Sequence, residues 1–513
     1  MIGKQYRWWL FFLTIAWIFL FFLQKTNLAA SDLGRHIKNG EIILSSGKVF
    51  SNNLYSYTNP DFYAPNHHWL FGVISYLVHS VFGFAGLTIL GAVLYTGAVA
   101  ISWWQSYKKT SIFPSVIATI AAIPLVAHRS ETRPEAFSLF FFALLWFWFG
   151  NSSSIKVKNK WVAYGVPLLI MALWVNIHIF FILAVPLVGA AVLQEIIKKK
   201  IKNSYSLILL SLGMLVATLL NPYGLTLLLY PFQIFSNYGY RVAENQPLWF
   251  FLRNFTERYH WYLLTFIIVS LASLLFLWKA HKKYSWYSTI LFVFFAGFTA
   301  RLIRMENVLA IVSIPIIAEA IATVWRKWHV QIKDIAQKPA GLMAASAAGF
   351  LAIAIFFGSG LFMPFNTGFG LGLYPKYQQS IEFVQKLPIT GPIFNNFDSG
   401  SFLIYALYPT QKVFIDNRAE AYPDDFLKNT YVAAQEKEDV WRALEGQYHF
   451  QAIIFYRLEN TNWGQEFMVK RFQDPSWVPI YVDNYLIIFL KDTDQNKQLI
   501  EQYRLPEDMF TVR

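Results

Sequence analysis

Long apolar runs separated by short polar segments fill the first two thirds of the chain. A helix needs about 20 mostly apolar residues to cross the hydrocarbon of a bilayer. About eleven runs approach that length, at 8–24, 86–105, 112–128, 134–150, 161–177, 179–196, 205–220, 261–279, 286–303, 306–325 and 340–364. The first run has a basic start and no small-residue cleavage site, as a retained anchor would. The pattern predicts a polytopic α-helical membrane domain over residues 1–364.

A long polar loop, residues 25–85, separates the first two runs. Within it, the stretch WLFGVISYLVHSVFG (69–83) is apolar but short for a membrane crossing. We therefore predict that it forms a helix lying at the membrane interface.

The pattern changes beyond residue 365. Short β-rich runs, namely PIFNNF, KVFIDNR, AIIFYR, WVPIYVD and YLIIFLK, alternate there with helix-like segments. Such alternation is typical of an α/β domain with a mostly parallel sheet. We predict a separate α/β domain over residues 365–513.

Composition places the chain among membrane proteins. Of its 513 residues, 56% are hydrophobic, 19% are aromatic and only 14% are charged. The net charge of +13 is typical of cytoplasmic anchoring loops, so a nucleic-acid partner is not expected. The chain has no cysteine, which excludes disulfides, thiol nucleophiles and cysteine-ligated metals.

The lysines orient the predicted helices. Lysine-rich segments recur in alternate loops, at 4–7, 108–109, 156–160, 198–202, 279–283 and 325–338. Cytoplasmic loops carry such an excess of basic residues. We therefore expect a multi-pass plasma-membrane protein with a cytoplasmic N-terminus, an outer first loop and an extracytoplasmic C-terminal domain.

The predicted outer loops as far as residue 306 carry mostly arginine, whereas the predicted inner loops carry mostly lysine. Two turns hold paired arginines, Arg129 with Arg133 and Arg301 with Arg304. The planar guanidinium suits two-pronged capture of phosphate or carboxylate. We predict that these arginines bind an anionic ligand; mutual ion pairing with neighbouring glutamates is the alternative.

The segment SDLGRHIKNGE, residues 31–41, follows the first apolar run. Asp32 is a candidate general base or metal-coordinating carboxylate, and Arg35 or His36 would contact the substrate. A solvated helix cap is the alternative for Asp32.

Other polar residues stand where apolar runs begin or end. His67 and His68 precede the predicted interfacial helix, and Asn176 and His178 interrupt an apolar stretch. Each is a candidate for substrate binding, with interface anchoring or helix capping as the alternative.

The terminal domain has its own polar candidates. Asp398, Asp416, Asn417 and Arg418 are such residues, the last three following a predicted strand where α/β sheets place ligands. We predict that Asp416 and Arg418 bind the acceptor or a glycan; packing of an Asp–Arg pair is the alternative.

Several segments together resemble a known superfamily. They are DLGRHIKNGEII and HHWL in the first loop, TRPEAF, NIH, and FNNFDSGSFLIYALYPTQKVFIDNRAEAY in the terminal domain. In this order, around one early span and a final outer domain, they resemble the glycosyltransferase-C superfamily. In particular, they resemble uncharacterised bacterial membrane proteins of the protein-mannosyltransferase-like type.

The resemblance implies a fold, a reaction and its partners. It implies a glycosyltransferase-C-like membrane domain. It also implies a hexosyltransferase-like reaction that transfers a sugar with inversion at its anomeric carbon. The donor would be a polyprenyl-phosphate sugar in the membrane lipid, and the acceptor an extracytoplasmic glycan, lipid or protein. Asp32 would be the catalytic acidic residue of the first loop. Several relatives carry paired acids there, whereas this chain has Ser31 beside Asp32. A divalent metal (Mg or Mn) is therefore an open expectation, and no other cofactor is implied.

Two other classes of protein remain as alternatives. A transporter would be expected to carry ionisable residues at mid-bilayer and repeat symmetry, and neither is evident in the sequence. A non-catalytic envelope-glycan assembly or scaffold protein would use the outer domain to bind a partner.

Overall fold

The structure is a computed structural model and describes residues 2–28, 32–150, 160–234, 243–281, 284–327, 368–459, 461–506 and 509. The predicted span 340–364, Arg241 and most of the basic loop 156–160 lie outside the described residues. The described chain is mostly helical, as predicted, and it has one β-sheet in its C-terminal part.

Thirteen helices precede residue 328 in the part of the chain that the structure describes. They are α1 (Ile2–Phe22), α2 (Leu33–Ser46), α3 (Trp69–Lys109), α4 (Ile112–Ala127), α5 (Pro134–Gly150), α6 (Lys160–Ile177), α7 (Ala184–Ile197), α8 (Ile201–Ala217), α9 (Leu225–Gln233), α10 (Leu248–Asn254), α11 (Arg258–Ala280), α12 (Trp286–Arg301) and α13 (Glu306–Lys327). Short 3₁₀ turns at Ile179–Leu183, Ala243–Asn245 and Ile303–Met305 precede α7, α10 and α13.

Each of the first ten predicted apolar runs overlaps one of these helices. By length and composition, four helical segments of the described chain could cross a membrane: Trp69–Lys109, Ile179–Ile197, Arg258–Ala280 and Ile303–Lys327. Other apolar helices, such as α4, α5 and α8, are shorter. Membrane-type helices are therefore present, and the number of crossings, about eleven, stays a prediction.

Helix α3 contains both the predicted interfacial helix and the second predicted span. Its backbone breaks at Gly83, where φ is 60° and ψ is −157°. A residue with a Cβ rarely adopts this conformation, so glycine permits the break. The two predicted elements are consequently joined without a loop, and the interfacial position of 69–83 stays a prediction.

The described chain forms two compact units. The first contains residues 1–25, 85–231 and 242–371, and the second contains 26–84, 232–241 and 372–513. The first outer loop, predicted to accompany the membrane domain, therefore packs with the C-terminal residues. Hydrogen bonds hold it there: Ser56 Oγ donates to the carbonyl of Phe414 at 3.0 Å, and Tyr57 OH donates to that of Ile393 at 2.7 Å.

The second unit contains a four-stranded sheet of order β1-β2-β4-β3. Its strands are β1 (Ile393–Asn395), β2 (Ala452–Tyr456), β3 (Trp477–Val482) and β4 (Leu486–Lys491). Only β1 and β2 are parallel, with Phe394 opposite Ile453; β2–β4 and β3–β4 are antiparallel. The prediction of a mostly parallel sheet was wrong, because β3 and β4 form a hairpin rather than being joined by a helix.

The predicted strand KVFIDNR is not part of the sheet. Val413 makes one isolated bridge to Ser56 of the first loop, and the following residues run without regular structure. Its apolar residues, Phe414 and Ile415, are nevertheless fully buried. Burial of a short apolar run therefore does not by itself indicate a strand.

Helices cover the sheet of the second unit. In chain order they are α14 (Lys376–Lys386), α15 (Gly400–Leu407), α16 (Ala433–Glu436), α17 (Glu438–Tyr448), α18 (Asn462–Gln473) and α19 (Lys497–Tyr503), with a π-helical turn at Phe426–Val432 and 3₁₀ turns at Phe397–Ser399 and Ala419–Ala421. Aromatic rings dominate the core; Phe394, for example, lies 5.0 Å from Trp441 and 5.5 Å from Phe467 between ring centroids. The predicted α/β character of the C-terminal part is confirmed.

Candidate functional site

Three arginines converge on one carboxylate in the first unit, and we call them the arginine cluster. Arg129 and Arg133 lie in the turn between α4 and α5, Arg304 lies in the 3₁₀ turn before α13, and Glu244 lies in the 3₁₀ turn before α10. Nη2 of Arg129 donates to Oε2 of Glu244 at 2.9 Å, and Nη1 of Arg133 donates to Oε1 at 3.0 Å. Nη2 of Arg304 lies 3.8 Å from Oε2.

Further carboxylates balance the cluster. Glu135, in the first turn of α5, accepts from Nη2 of Arg304 at 2.7 Å and lies 3.8 Å from Nη2 of Arg129. An acidic residue is favoured at that end of a helix because the helix dipole is positive there. Glu131 lies 3.7 Å from Arg133. The alternative of mutual ion pairing with neighbouring glutamates is therefore present in the structure, and binding of an anionic ligand stays a prediction.

The arginine cluster is partly open to solvent. Its side chains are 12, 13 and 15% exposed, and that of Glu244 is 30% exposed. Burial alone would raise the pKa of Glu244, but the three arginines hold it well below its ordinary value. Glu244 is therefore ionised at neutral pH. A guanidinium binds the paired oxygens of carboxylate and phosphate alike, so the cluster suits an anion with several oxygens.

Of the predicted pair Arg301 and Arg304, only Arg304 joins the cluster. Arg301 ends α12 with its side chain exposed, and no ion pair to it occurs within the described residues. Arg304 also donates to Oδ1 of Asn245 at 3.2 Å, and its guanidinium carbon lies 5.0 Å from the ring centroid of Phe180.

Asn176 and His178 are buried at the end of α6. The side-chain amide of Asn176 donates to the carbonyl oxygens of Ala172 and Leu220, both at 2.7 Å. Nδ1 of His178 lies 2.8 Å from Oγ of Ser138. Both side chains have protein partners, which favours the capping alternative over substrate contact.

Asp32, in the second unit, immediately precedes α2. Its backbone is left-handed, with φ 52°, and its side chain is 33% exposed. Its Oδ2 lies 3.7 Å from Nη2 of the buried Arg35. The start of α2 is held against α15: a Cβ on Gly34 would lie 2.6 Å from the carbonyl oxygen of Ser401, so glycine permits this contact. The carboxylate is thus accessible on a backbone that is tightly positioned.

The three predicted histidines of the first loop form one group of rings. The ring centroids of His36 and His68 are 5.2 Å apart, and those of His67 and His68 are 3.8 Å apart. His36 also meets the ring of Phe71 edge-on at 4.9 Å. His36 and His67 are buried, whereas His68 is partly exposed. Packing is therefore favoured for His36 and His67, and substrate contact stays a prediction for His68.

Asp416 and Arg418 form a buried, bidentate ion pair. Nε of Arg418 donates to Oδ1 of Asp416 at 2.8 Å, and its Nη2 donates to Oδ2 at 2.7 Å. Arg418 also donates to Oδ1 of Asn53 at 2.6 Å, and the hydroxyl of Tyr422 donates to Oδ2 of Asp416 at 3.1 Å. The Asp416 side chain has no exposed surface. This geometry favours packing over the predicted glycan binding.

Of the terminal-domain candidates, Asp398 and Asn417 keep some exposure, and Asp398 is the one that titrates. It lies in the 3₁₀ turn that leads into α15. Burial, followed by the charges of Glu459 and Asp32, raises its pKa to about 7. Asp398 and Asp32 are therefore close enough in the second unit to influence each other electrostatically.

The described residues do not contain a group of three or more His, Asp or Glu side chains that could hold a metal ion. Mg²⁺ usually keeps several of its waters and is bound by one or two carboxylates together with the phosphates of a substrate, so a group of three is not required for it. The divalent metal that the sequence leaves open therefore stays a prediction.

Glu244 is the residue of this region that the sequence does not single out. It follows a mixed polar and aromatic loop and has no spacing relationship to any arginine. The only sequence signal is an acidic residue in a predicted outer loop rich in arginine. Its role depends on pairing with Arg129, which is 115 positions away.

Comparisons with solved structures identify the fold. The archaeal oligosaccharyltransferase AglB from Archaeoglobus fulgidus, in complex with an inhibitory peptide and a dolichol-phosphate, matches 95% of this chain and 74% of its own length, with a TM-score of 0.61 and 11% identity. ArnT from Cupriavidus metallidurans bound to undecaprenyl phosphate matches 94% of this chain and 97% of its own, with a TM-score of 0.57 and 12% identity.

A third structure, the Archaeoglobus fulgidus oligosaccharyltransferase in complex with Zn and sulfate, covers 93% of this chain and 73% of its own length, with a TM-score of 0.57 and 12% identity. No family model and no curated protein matches the sequence. The structural likeness extends over both compact units. The predicted resemblance is therefore confirmed at the level of the fold: this chain shares its fold with AglB and ArnT, which are glycosyltransferase-C enzymes.

Proposed function

We propose that this protein is an integral membrane glycosyltransferase. It moves a sugar from a polyprenyl-phosphate donor to an extracytoplasmic glycan, lipid or protein, with inversion at the anomeric carbon. The observation that carries the proposal is the fold shared along nearly the whole chain with AglB and ArnT, whose structures hold dolichol-phosphate and undecaprenyl phosphate. The arginine cluster supports it, because guanidinium groups suit a lipid phosphate.

The proposed reaction is a single displacement. Asp32 takes the proton of an acceptor hydroxyl, whose oxygen forms a bond to the anomeric carbon. The bond from that carbon to the phosphate oxygen breaks, and its electron pair leaves with the polyprenyl phosphate. The arginine cluster offsets the negative charge that grows on this phosphate. The 33% exposure of the Asp32 side chain suits contact with an incoming hydroxyl.

The proposal includes a location. The protein lies in the plasma membrane with its N-terminus in the cytoplasm, and the second unit faces the outside. The loops that carry lysine support this orientation, since basic residues favour the cytoplasmic side.

Incubation of membranes that contain the protein with labelled polyprenyl-phosphate sugars tests the proposal. Transfer of label to an acceptor supports an enzyme, accumulation of label inside sealed vesicles supports a transporter, and neither result supports a scaffold. The role of Asp32 as general base is tested by Asp32→Asn, which is expected to lower the transfer rate by about 100-fold or more, because general-base catalysis contributes about 10²–10⁴-fold.

Glu41→Gln is the matched control for that variant. Glu41 lies on the same helix, α2, and its side chain is 44% exposed and paired with Lys38 at 2.8 Å. We expect its removal to change the transfer rate by less than about twofold, as for exposed ion pairs. Full activity of Asp32→Asn would refute the assignment of the base.

A further inference from the structure

The carboxylate of Glu244 occupies the point at which the arginine cluster would hold an anion. We propose that the Glu244 carboxylate occupies the binding position of the donor's phosphate until the donor displaces it. We further propose that the charge of Glu244 determines the charge of the phosphate linkage that the site accepts. This inference rests on the proposed function and deepens it, because it names the class of lipid phosphate that the site selects.

The contacts of Glu244 are those expected of a bound anion. Its two oxygens receive hydrogen bonds from different arginines, at 2.9 Å from Arg129 and 3.0 Å from Arg133. Arg304 lies 3.8 Å from one of the same oxygens. The three cations come from two turns that are distant in the sequence and meet at this carboxylate. A phosphate presents the same paired oxygens to guanidinium groups.

Glu244 differs from the other carboxylates of the cluster in how it is held. Glu135 lies in the first turn of the 17-residue helix α5, and its side chain is 10% exposed. The side chain of Glu131 is 15% exposed. Glu244 lies in a 3₁₀ turn of three residues, and its side chain is 30% exposed. A carboxylate that already contacts water regains hydration readily when it leaves its partners. Glu244 is therefore the carboxylate that a ligand can replace.

Charge balance gives the class of ligand. The three arginines of the cluster face three carboxylates, those of Glu131, Glu135 and Glu244. The group is therefore neutral with Glu244 in place and carries one positive charge once Glu244 leaves. A sugar joined to a lipid through one phosphate is a phosphodiester with a single negative charge, whereas a diphosphate linkage has two. The cluster matches the monophosphate donor.

Donor binding by the full-length protein in detergent tests the inference. The probes are a short-chain polyprenyl monophosphate sugar and the corresponding diphosphate sugar. We expect the wild-type protein to prefer the monophosphate. Glu244→Gln is expected to bind it about 5–30-fold more tightly, because no carboxylate competes for the two charge-assisted hydrogen bonds.

Glu131→Gln is the control matched in charge. It removes the same charge beside Arg133, from a position 3.7 Å away, but it leaves Glu244 between the arginines. A purely electrostatic effect would make the two variants equal, and that result would overturn the inference. Unchanged or weaker binding by Glu244→Gln would also overturn it. Glu244→Asp, which keeps the charge on a shorter side chain, is expected to fall between the wild type and Glu244→Gln.

The binding assay separates this inference from the proposed function. Donor binding with the expected gain in Glu244→Gln but without any sugar transfer would contradict the proposed transfer reaction and leave the role of Glu244 standing. Sugar transfer without that gain would contradict the role of Glu244 alone. Thermal unfolding of each variant in the same detergent shows whether it is folded.

Discussion

Two groups of arginines and carboxylates in this protein have opposite characters. In the first unit, the arginine cluster surrounds Glu244, whose side chain is 30% exposed. In the second unit, Arg418 meets Asp416, two positions away, with no exposed surface on the carboxylate. The first group joins residues that are distant in the sequence, whereas the second is a local pair anchored by Asn53 and Tyr422.

The comparison shows what distinguishes a candidate ligand site from a packing element. Each oxygen of Asp416 receives hydrogen bonds from within the protein, and Arg418 makes its contacts with Asp416 and Asn53. An incoming ligand would have to break that whole arrangement in a buried position, at a cost typical of buried ion pairs. Replacing Glu244 breaks contacts that already border water. Exposure, rather than the type of residue, makes the difference.

The largest effect is expected from breaking the buried pair. Asp416→Ala leaves the Arg418 guanidinium buried without its counter-ion, so we expect the free energy of unfolding to fall by about 3–5 kcal/mol. Denaturant or thermal unfolding of the full-length protein in detergent measures this loss. The double variant Asp416→Leu/Arg418→Met removes both charges and is expected to recover part of it.

Lys38→Ala is the comparison variant for that experiment. It removes a salt bridge of 2.8 Å to Glu41 in the same unit, where the glutamate is 44% exposed. We expect a loss of about 0–1 kcal/mol. Equal losses from Asp416→Ala and Lys38→Ala would show that Asp416 is not a packing element and would reopen glycan binding.

The next largest effect is expected in the arginine cluster. Arg304→Met removes one of the three cations, so we expect kcat/KM for sugar transfer to fall by about 100-fold, the usual cost of losing a group that stabilises transition-state charge. Arg304→Lys keeps the positive charge but loses the planar guanidinium. We expect its kcat/KM to lie between that of the wild type and that of Arg304→Met.

Arg301→Met is the matched comparison, because Arg301 is the same type of residue near the same turn but is exposed. We expect its kcat/KM to stay within about twofold of the wild type, the usual scale of surface substitutions. If Arg301→Met lost as much activity as Arg304→Met, the exposed arginine would also act on the donor.

The effect expected at Asp398 depends on pH. The folded protein raises the pKa of this carboxyl to about 7, through burial and then the charges of Glu459 and Asp32. Between about pH 4, where the unfolded chain ionises, and pH 7, the folded state holds a proton that the unfolded state has released. Wild-type stability should therefore fall as pH rises through this window. Asp398→Asn cannot ionise, so its stability relative to the wild type should increase as pH rises from about 4 to 7 and stay constant above pH 7.

Unfolding temperatures of wild type and Asp398→Asn at pH 5 and pH 8 measure this difference. Asp492→Asn removes a carboxylate from an exposed position of the same unit, and we expect it to change both temperatures equally. An advantage of Asp398→Asn that is the same at pH 5 and pH 8 would show that Asp398 does not titrate between them.

Much of the fold follows from local pattern. Long apolar runs predicted α4, α5 and α11 because a helix satisfies its own backbone hydrogen bonds and needs only an apolar surface to be buried. The runs AIIFYR and YLIIFLK likewise became β2 and β4. Strand direction was not predictable, because it depends on connections and partners rather than on the run itself. For the same reason KVFIDNR, although buried, lies outside the sheet.

The candidate site could be predicted only in part. Arg129, Arg133 and Arg304 were found from the side of the membrane on which their loops were expected to lie. The burial of His36 and Asn176 and the closed pairing of Asp416 could not be found in this way, since polar residues near helix ends look alike in a sequence whether they face a ligand or the core. Glu244 was missed because its partners are far from it along the chain.

The sequence by itself determined where the helices run, that the chain is of the membrane type, and which residues carry charge at the ends of helices, since run length and residue type are local properties. The tertiary structure alone decided which charges meet. Arg304 and Glu135 are separated by 169 positions and lie 2.7 Å apart, and only the packing of helices can bring such side chains together. The difference between the arginine cluster, which is partly open to solvent, and the buried Asp416–Arg418 pair is therefore decided by tertiary packing.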